Sequence, residues 1–209
     1  MPPEFLYTEV YVHLGNKGNI KMREPGWIWY KLRGALIVPV YLFAMIFTWY
    51  EHEGWIIYPL GGVLFTAGWI LRVWSQMHLH YRLKVHKVLT RTGPYAYVRN
   101  PIYIGNTLIL VGVTVLAELL WLTPIMFACC AVTYTLVVRY EETHLSGKYG
   151  EPYVEYLHTV PRWIPMMKPG QSVVSLKNLG DFLVPSIKAE VHMFLLLIPV
   201  AIKEMICIT

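Results

Sequence analysis

The sequence predicts an all-α fold, a polytopic membrane helical bundle of four to five transmembrane helices, and three observations predict it. Of 209 residues, 56% are hydrophobic and 15% charged, against about 25% charged in an average soluble domain. Four apolar runs approach or pass the roughly 18 residues that carry a helix across a bilayer. Positive charge alternates from loop to loop, the pattern that orients membrane proteins. One integral membrane domain is expected over 1–209, because no self-similarity of repeat length and no low-complexity tract divides the chain.

The N-terminal segment, 1–32, opens "MPPEFLYTEVYVHLGNKGNIKMREPG". Its acidic residues, its glycines and its lack of an early apolar core are unlike a cleavable signal peptide, so the first span is expected to serve as its own insertion signal. The membrane region, 33–138, is expected to hold spans at 33–50, 55–74, 102–118 and 120–138. Trp27, Trp29 and Tyr30 precede the first span, Trp49 and Tyr50 end it, and Trp55 and Tyr58 open the second, as aromatic anchors at headgroup depth do. Lys17, Lys21, Arg23, Lys31 and Arg33 flank the start of the first span, whereas "EHEG" at 51–54 has no Lys or Arg. Arg82, Lys84, Lys87, Arg91 and Arg99 fill the next connection, and the turn from Glu118 to Thr123 again has none. This alternation puts the N-terminus, the second loop and everything after Arg139 in the cytoplasm. Spans three and four form a hairpin, with Pro124 suited to a first helical turn.

A polar segment follows at 139–170. In it Tyr149, Tyr153, Tyr156 and Val160 fall at helical spacing, so "KYGEPYVEYLHTV" predicts an amphipathic helix that Pro161 stops. The segment 171–209 ends in an apolar run, Val191 to Ile202, too short to span alone. Upstream, Asp181, Lys188 and Glu190 are costly in hydrocarbon unless they face protein or water. The run is expected to be an interfacial or bundle-packed helix, or a bent fifth span.

Several function classes fall away. The net charge of +5 would suggest nucleic acid in a soluble protein, but here it lies in the loops that orient the spans, so no nucleic-acid partner is expected. Cys129, Cys130 and Cys207 make neither a disulfide framework nor a zinc site. His78, His80 and His86 on "QMHLHYRLKVH" invite a metal reading, yet His78 and His80, two apart, point to different sides of a helix, and no metal is expected. Arg72, Ser75 and Gln76 are expected to snorkel or to line a pocket, Arg72 as a polar wall residue. No G-x-G-x-x-G and no βαβ pattern is visible, which excludes a Rossmann-type cofactor domain.

Two stretches carry chemistry. In "RTGPYAYVRNPIYIG", Asn100 is pushed out of helical geometry by Pro101, which suits the first turn of span three. The N–H groups of Ile102, Tyr103 and Ile104 are then expected to lack partners, and beside Arg99 they offer a site for a carboxylate or phosphate. Gly105 permits close approach of backbone or ligand. The plainer reading has Arg99 on a lipid phosphate and Asn100-Pro101 as a cap. In "VVRYEETHLSGKYGEPYVEYLHTVPRWIP", Glu141 and Glu142 fall where span four leaves the bilayer, a helix C-terminus that disfavours negative charge. Arg139, Lys148 or solvent can compensate them; so can a ligand cation, or Arg99 across the hairpin.

Together, "HKVLTRTGPYAYVRNPIYIG" and "EETHLSGKYGEPYVEYLHTVPRWIP" resemble the isoprenylcysteine carboxyl methyltransferase and phospholipid methyltransferase superfamily over residues 86 to 165, most closely its short prokaryotic members. The resemblance implies an integral membrane enzyme that uses S-adenosyl-L-methionine, held between the last hairpin and a cytoplasmic segment, with a lipophilic substrate entering from the bilayer. By position it implies a pocket of His86, Tyr95, Arg99, Asn100, Pro101, Tyr103 and Gly105 facing Glu141, Glu142, Tyr153, Tyr156 and Arg162; the chemistry of methyl transfer makes Arg99 and Glu142 the candidate catalytic residues. Asn100 stands where the prenylcysteine enzymes have histidine, and the tail after Pro165 exceeds the family core.

The chemistry is coherent with that implication. A helix N-terminus with Arg99 suits the cofactor's carboxylate, Glu141 or Glu142 its positive centres, and tyrosines its adenine. The acceptor is an isoprenylcysteine-like carboxylate, which Arg99 would hold, or a phospholipid amine or small lipophilic thiol, for which Glu142 would be the base. The inner membrane is the expected site in a bacterium and the endoplasmic reticulum in a eukaryote. Two rivals remain open. One is a sterol-reductase-like nicotinamide enzyme, whose Arg-Asp-Glu triplet is replaced here by "RYEE"; the other is a membrane scaffold without activity.

Overall fold

The structure, a computed structural model, describes residues 30–47, 54–81, 84, 89–169 and 178–207. Helices and short 3-10 turns make up its regular structure, with no strand among the described residues. The helices are α1 (Ile37–Ile46), α2 (Gly54–Tyr81), α3 (Pro101–Leu116), α4 (Thr123–Tyr149), α5 (Glu151–Thr159), α6 (Leu183–Glu190) and α7 (Ile198–Cys207). Three helical stretches are long and apolar enough to cross a membrane: Trp55–Tyr81, Leu120–Tyr149 and Leu179–Met205. The helices α1 and α3 are apolar but shorter, at 10 and 16 residues. The predicted membrane bundle is thus present.

Two helices run further than the apolar pattern predicts. Hydrocarbon-like composition ends near residue 74 in α2 and 138 in α4, but helical geometry continues to Tyr81 and Tyr149. Glu141 and Glu142 therefore lie two turns inside α4, not at its end. The helix dipole acts mainly over the last turn, so the expected dipole penalty on these carboxylates does not arise. Gly150, at φ 64, ends α4, a left-handed position that suits glycine. It also splits the predicted amphipathic helix, whose second part is α5 with Pro152 in its first turn.

The packing of α2 on α3 depends on glycine. A Cβ on Gly68 would lie 2.6 Å from the Gly105 carbonyl oxygen, and one on Gly112 would lie 2.8 Å from the Phe65 nitrogen and 2.9 Å from the Gly61 carbonyl oxygen. Gly61 and Gly68 are seven residues apart, as are Gly105 and Gly112, so the two antiparallel helices meet at small residues two turns apart. Close backbone approach through small residues is how membrane helices gain packing energy when lipid is as apolar as their side chains.

The final segment is a bent helix that crosses the whole bundle. It begins beside the end of α2, where the Tyr81 and Phe182 rings lie 5.4 Å apart. It finishes at the opposite end, where Lys203 Nζ donates to the Ala117 carbonyl at 2.7 Å and the Tyr58 hydroxyl lies 2.8 and 3.0 Å from the carboxylates of Glu118 and Glu204. Its bend is the 3-10 stretch Val191–Leu197, just before Pro199, which lacks an N–H and crowds the carbonyl four residues back. Of the two expected forms, the bent fifth helix is the one found. The expectation that everything after Arg139 stays on one side fails for this segment.

Candidate active site

A cavity of ≈ 830 Å³ opens among α2, α3, α4, α5 and the final segment, within the about 300–1,000 Å³ typical of ligand pockets. Its polar end is assembled from the two motif stretches. The 3-10 turn Gly93–Ala96 is seated on α2: Gly93 has φ +60, a Cβ there would lie 2.3 Å from His78 Nε2, and His78 Nδ1 lies 2.9 Å from Thr92 Oγ1. His78 is thus engaged in holding a turn.

The two stretches are then laced together. Tyr156 donates its hydroxyl to the Tyr95 carbonyl at 2.8 Å, the Met166 amide donates to the Tyr97 carbonyl at 3.1 Å, and the Arg99 amide donates to the Pro161 carbonyl at 2.9 Å. Asn100 Nδ2 donates to the Arg162 carbonyl at 3.2 Å. The Ile104 amide bonds to the Asn100 carbonyl at 3.3 Å, so the expected set of three unpartnered N–H groups is reduced to those of Ile102 and Tyr103, which no intrahelical acceptor can reach.

Charge is concentrated at Glu142. It accepts from Arg162 through Nε at 3.1 Å and Nη2 at 2.5 Å, and its Oε1 lies 3.1 Å from Arg99 Nη1. The side chains of Glu142 and Arg99 are 10% and 12% exposed, so the bidentate geometry is formed where water competes weakly. Arg99 Nε is buried without a hydrogen-bond partner among the described residues. The pairing of Arg99 with Glu142 across the hairpin, one of the expected alternatives, is what the structure holds. Glu141 turns to a different partner and accepts from the Tyr103 hydroxyl at 2.7 Å, with the Tyr103 and Tyr134 ring centroids 4.9 Å apart. Burial, then the nearby charge of Glu141, pushes the Tyr95 hydroxyl pKa well above its usual value; burial does the same for Tyr153 and Tyr156. These phenols remain protonated donors at neutral pH.

Tyr95, Arg99, Asn100, Pro101, Tyr103, Glu141, Glu142, Tyr153 and Tyr156 all line the cavity. Arg162 reaches it through Glu142. Gly105 does not line it: a Cβ there would lie 2.7 Å from Arg72 Cγ and 2.9 Å from the Gly68 carbonyl oxygen, so the close approach it permits is that of α2. His86 lies outside the described residues.

Further in, Arg72 is part of the wall, as expected, and is 7% exposed. Its Nε donates to Glu190 at 2.6 Å and its Nη1 to Asn106 Oδ1, while Trp69 Nε1 donates to the Glu190 carbonyl at 3.2 Å. Asn106, Tyr134 and Glu190 are the participants that sequence reasoning missed. Glu190 had a signal, because an ionisable residue beside a membrane span needs a partner; what its spacing could not supply was the partner's identity.

Fold and cavity define a membrane helical bundle with a charged internal pocket. The family model described as phospholipid methyltransferase matches residues 56–152. The chain is 28% identical over 155 residues to the nickel-cobalt-cadmium resistance protein NccN of Alcaligenes xylosoxydans xylosoxydans, a match covering 70% of each. It is 31% identical over 126 residues to methanethiol S-methyltransferase of Crocosphaera subtropica, covering 50% of this chain and 46% of that one. It is 27% identical over 139 residues to protein-S-isoprenylcysteine O-methyltransferase of Schizosaccharomyces pombe, covering 66% of this chain and 58% of that one. No solved structure matches. These matches support a relationship to the isoprenylcysteine carboxyl methyltransferase and phospholipid methyltransferase superfamily, carried by residues 56–152.

Proposed function

We propose that the chain is an S-adenosyl-L-methionine-dependent methyltransferase acting on a lipophilic or membrane-embedded acceptor at the cytoplasmic membrane face, with its N-terminus in the cytoplasm. The observation that carries the reading is the Arg99–Glu142–Arg162 cluster on a cavity that also presents Glu141 and buried tyrosines. This donor set fits the cofactor. Arg99, with its unpartnered Nε and the first amides of α3, suits a carboxylate; Glu141 suits an ammonium; the Tyr153 and Tyr156 rings suit an adenine or a cationic centre. When bound, the cofactor supplies a methyl group on positively charged sulfur.

The chain's own residues supply binding and orientation. Ile109, Leu110 and Leu196 give the cavity apolar walls, and orienting two bound reactants can supply about 7–11 kcal/mol. Glu142 spends both carboxylate oxygens on two guanidinium groups, so its role is to fix Arg99. Glu141, bonded among the described residues to a single hydroxyl, is the carboxylate left to take either the cofactor's ammonium or the proton of a thiol or amine acceptor. The metals named for one relative are not needed in this reading, and among the described residues no three His, Cys, Asp or Glu side chains converge to hold an ion.

The test is calorimetric binding of S-adenosyl-L-methionine to the full chain in nanodiscs, beside Glu142→Ala. Saturable binding to the wild type, weakened at least 100-fold in the variant, is the expected result. A folded wild type that binds none of the cofactor, with or without added lipid, ends the reading and turns attention to nicotinamide cofactors.

A further inference from the structure

Besides Arg99 and Arg33, the cavity is lined by a third guanidinium, that of Arg72, which the cofactor reading does not use. Arg72 lies on α2 level with Asn106, five residues into α3, which is about 7–8 Å deeper than Pro101 at ~1.5 Å per residue. Arg99 is at the polar end; Arg72 is inside the bundle. Its Nε is taken by Glu190 and its Nη1 by Asn106, while Nη2 has no hydrogen-bond partner among the described residues on a side chain that lines the cavity. The cavity continues past it to Ile109, Leu110, Met193 and Leu196. A donor held in fixed orientation, with apolar surface beyond it, suits an amphiphile with a hydrogen-bond-accepting head.

Resting on the methyltransferase reading, we propose that Arg72 is an inner anion site that holds the head of the methyl acceptor. It selects an anionic oxygen or sulfur on an apolar stem over an amine. Glu190 and Asn106 are positioning residues: they lock the guanidinium plane and leave one edge for the ligand. An ammonium head offers only donors to a group that itself only donates. An anionic head accepts from the open guanidinium edge, with Glu190 balancing the charge on the other edge. For an acceptor that arrives as a carboxylate the transfer balances without a base; a thiol first gives its proton to the Glu141 carboxylate and then reacts as the thiolate. The acceptor's lone pair forms the bond to the methyl carbon, the carbon–sulfur bond of the sulfonium breaks with its electrons on sulfur, and one negative and one positive charge disappear with no proton released. The final segment, which the family match at 56–152 does not reach, thereby becomes a specificity element through Glu190.

The test uses the full chain in nanodiscs and three probes with the same ten-carbon stem: N-acetyl-S-decylcysteine, decanethiol and decylamine. Saturable binding of each is measured with empty discs subtracted, cofactor affinity is measured separately, and KM and kcat are taken for whichever probes are methylated. The expected result is binding of the carboxylate or the thiol, at least tenfold tighter than the amine. Arg72→Gln should raise its Kd and KM at least tenfold and leave cofactor affinity within twofold. Because Arg72→Gln leaves Glu190 buried without its partner, Arg72→Gln/Glu190→Gln is measured beside it as a neutral pair with hydrogen-bonding capacity retained. Glu190→Gln alone should raise KM more than it lowers kcat, and Arg72→Lys should restore part of the preference. Preference for the amine, or an unchanged Kd in the folded double variant, overturns the proposal. Anion binding that depends on Arg72 in a chain that binds no cofactor upholds the site and removes the methyltransferase reading instead.

Discussion

The two buried ion-pair clusters of this molecule are built from different kinds of sequence. Arg99, Glu142 and Arg162 come from stretches that carry recognisable motifs, and Arg162 lies 20 residues beyond Glu142. Arg72 and Glu190 are separated by 118 residues and belong to no motif. The outer cluster is open at one edge and holds one carboxylate between two guanidinium groups. The inner pair is charge-balanced and more deeply buried, with Glu190 1% exposed. The difference separates two tasks: a cluster with surplus positive charge suits capture of the cofactor's carboxylate, whereas a charge-balanced pair locks a crossing helix in place and leaves one oriented donor for the acceptor's head.

The largest expected effect comes from breaking the inner pair outright. Glu190→Ala leaves the Arg72 charge buried and uncompensated, which costs about 3–5 kcal/mol of stability. A thermal melt in nanodiscs should show a large fall in midpoint, with cofactor affinity per folded molecule preserved. The opposite pattern, an unchanged midpoint with lost cofactor binding, would reverse the roles assigned to the two clusters.

What was legible in the sequence follows from the same contrast. The bundle, the hairpin and the pairing of Arg99 with Glu142 were readable because apolar runs, loop charge and short motif spacing are local properties. The form of the final segment was left open because Val191 to Ile202 is short and its flanks are charged. Its crossing depends on Glu190 meeting Arg72 and on Lys203 meeting the end of α3, contacts that no local pattern encodes. The resemblance put Gly105 in the pocket, and the residue itself was read as permitting close approach of backbone or ligand. The approach is real, but the partner is Gly68 and the stem of Arg72, and a glycine in sequence does not say what comes near it.

That correction supplies a middle-sized test. In Gly105→Ala the new methyl meets backbone at Gly68 and the Arg72 stem at less than van der Waals distance, and overpacking of this kind costs about 1–3 kcal/mol. Since Gly105 touches the inner pair and not the cavity, acceptor binding should weaken several-fold while calorimetry gives an unchanged cofactor affinity. Loss of cofactor binding with acceptor binding intact would return Gly105 to the outer site.

The smallest expected effect is at Asn100, which by the sequence resemblance stands where the prenylcysteine enzymes have histidine. Its carbonyl closes the first turn of α3 onto Ile104, a task of the backbone that any side chain permits. Its amide nitrogen donates to the Arg162 carbonyl at 3.2 Å and so joins the two motif stretches. In histidine the Nδ1 atom stands at the same remove from the backbone as Nδ2 of asparagine, and with a proton it donates as the amide does. Asn100→His should therefore keep the link, at a cost below the about 0.5–1.5 kcal/mol that one hydrogen bond contributes. Cofactor affinity should stay within about threefold, since 1.4 kcal/mol corresponds to tenfold. Asn100→Leu, which cannot donate, should lose the link and the associated stability. If the histidine variant fails as badly as the leucine one, the amide oxygen, and not the nitrogen that holds Arg162, is the atom the site depends on.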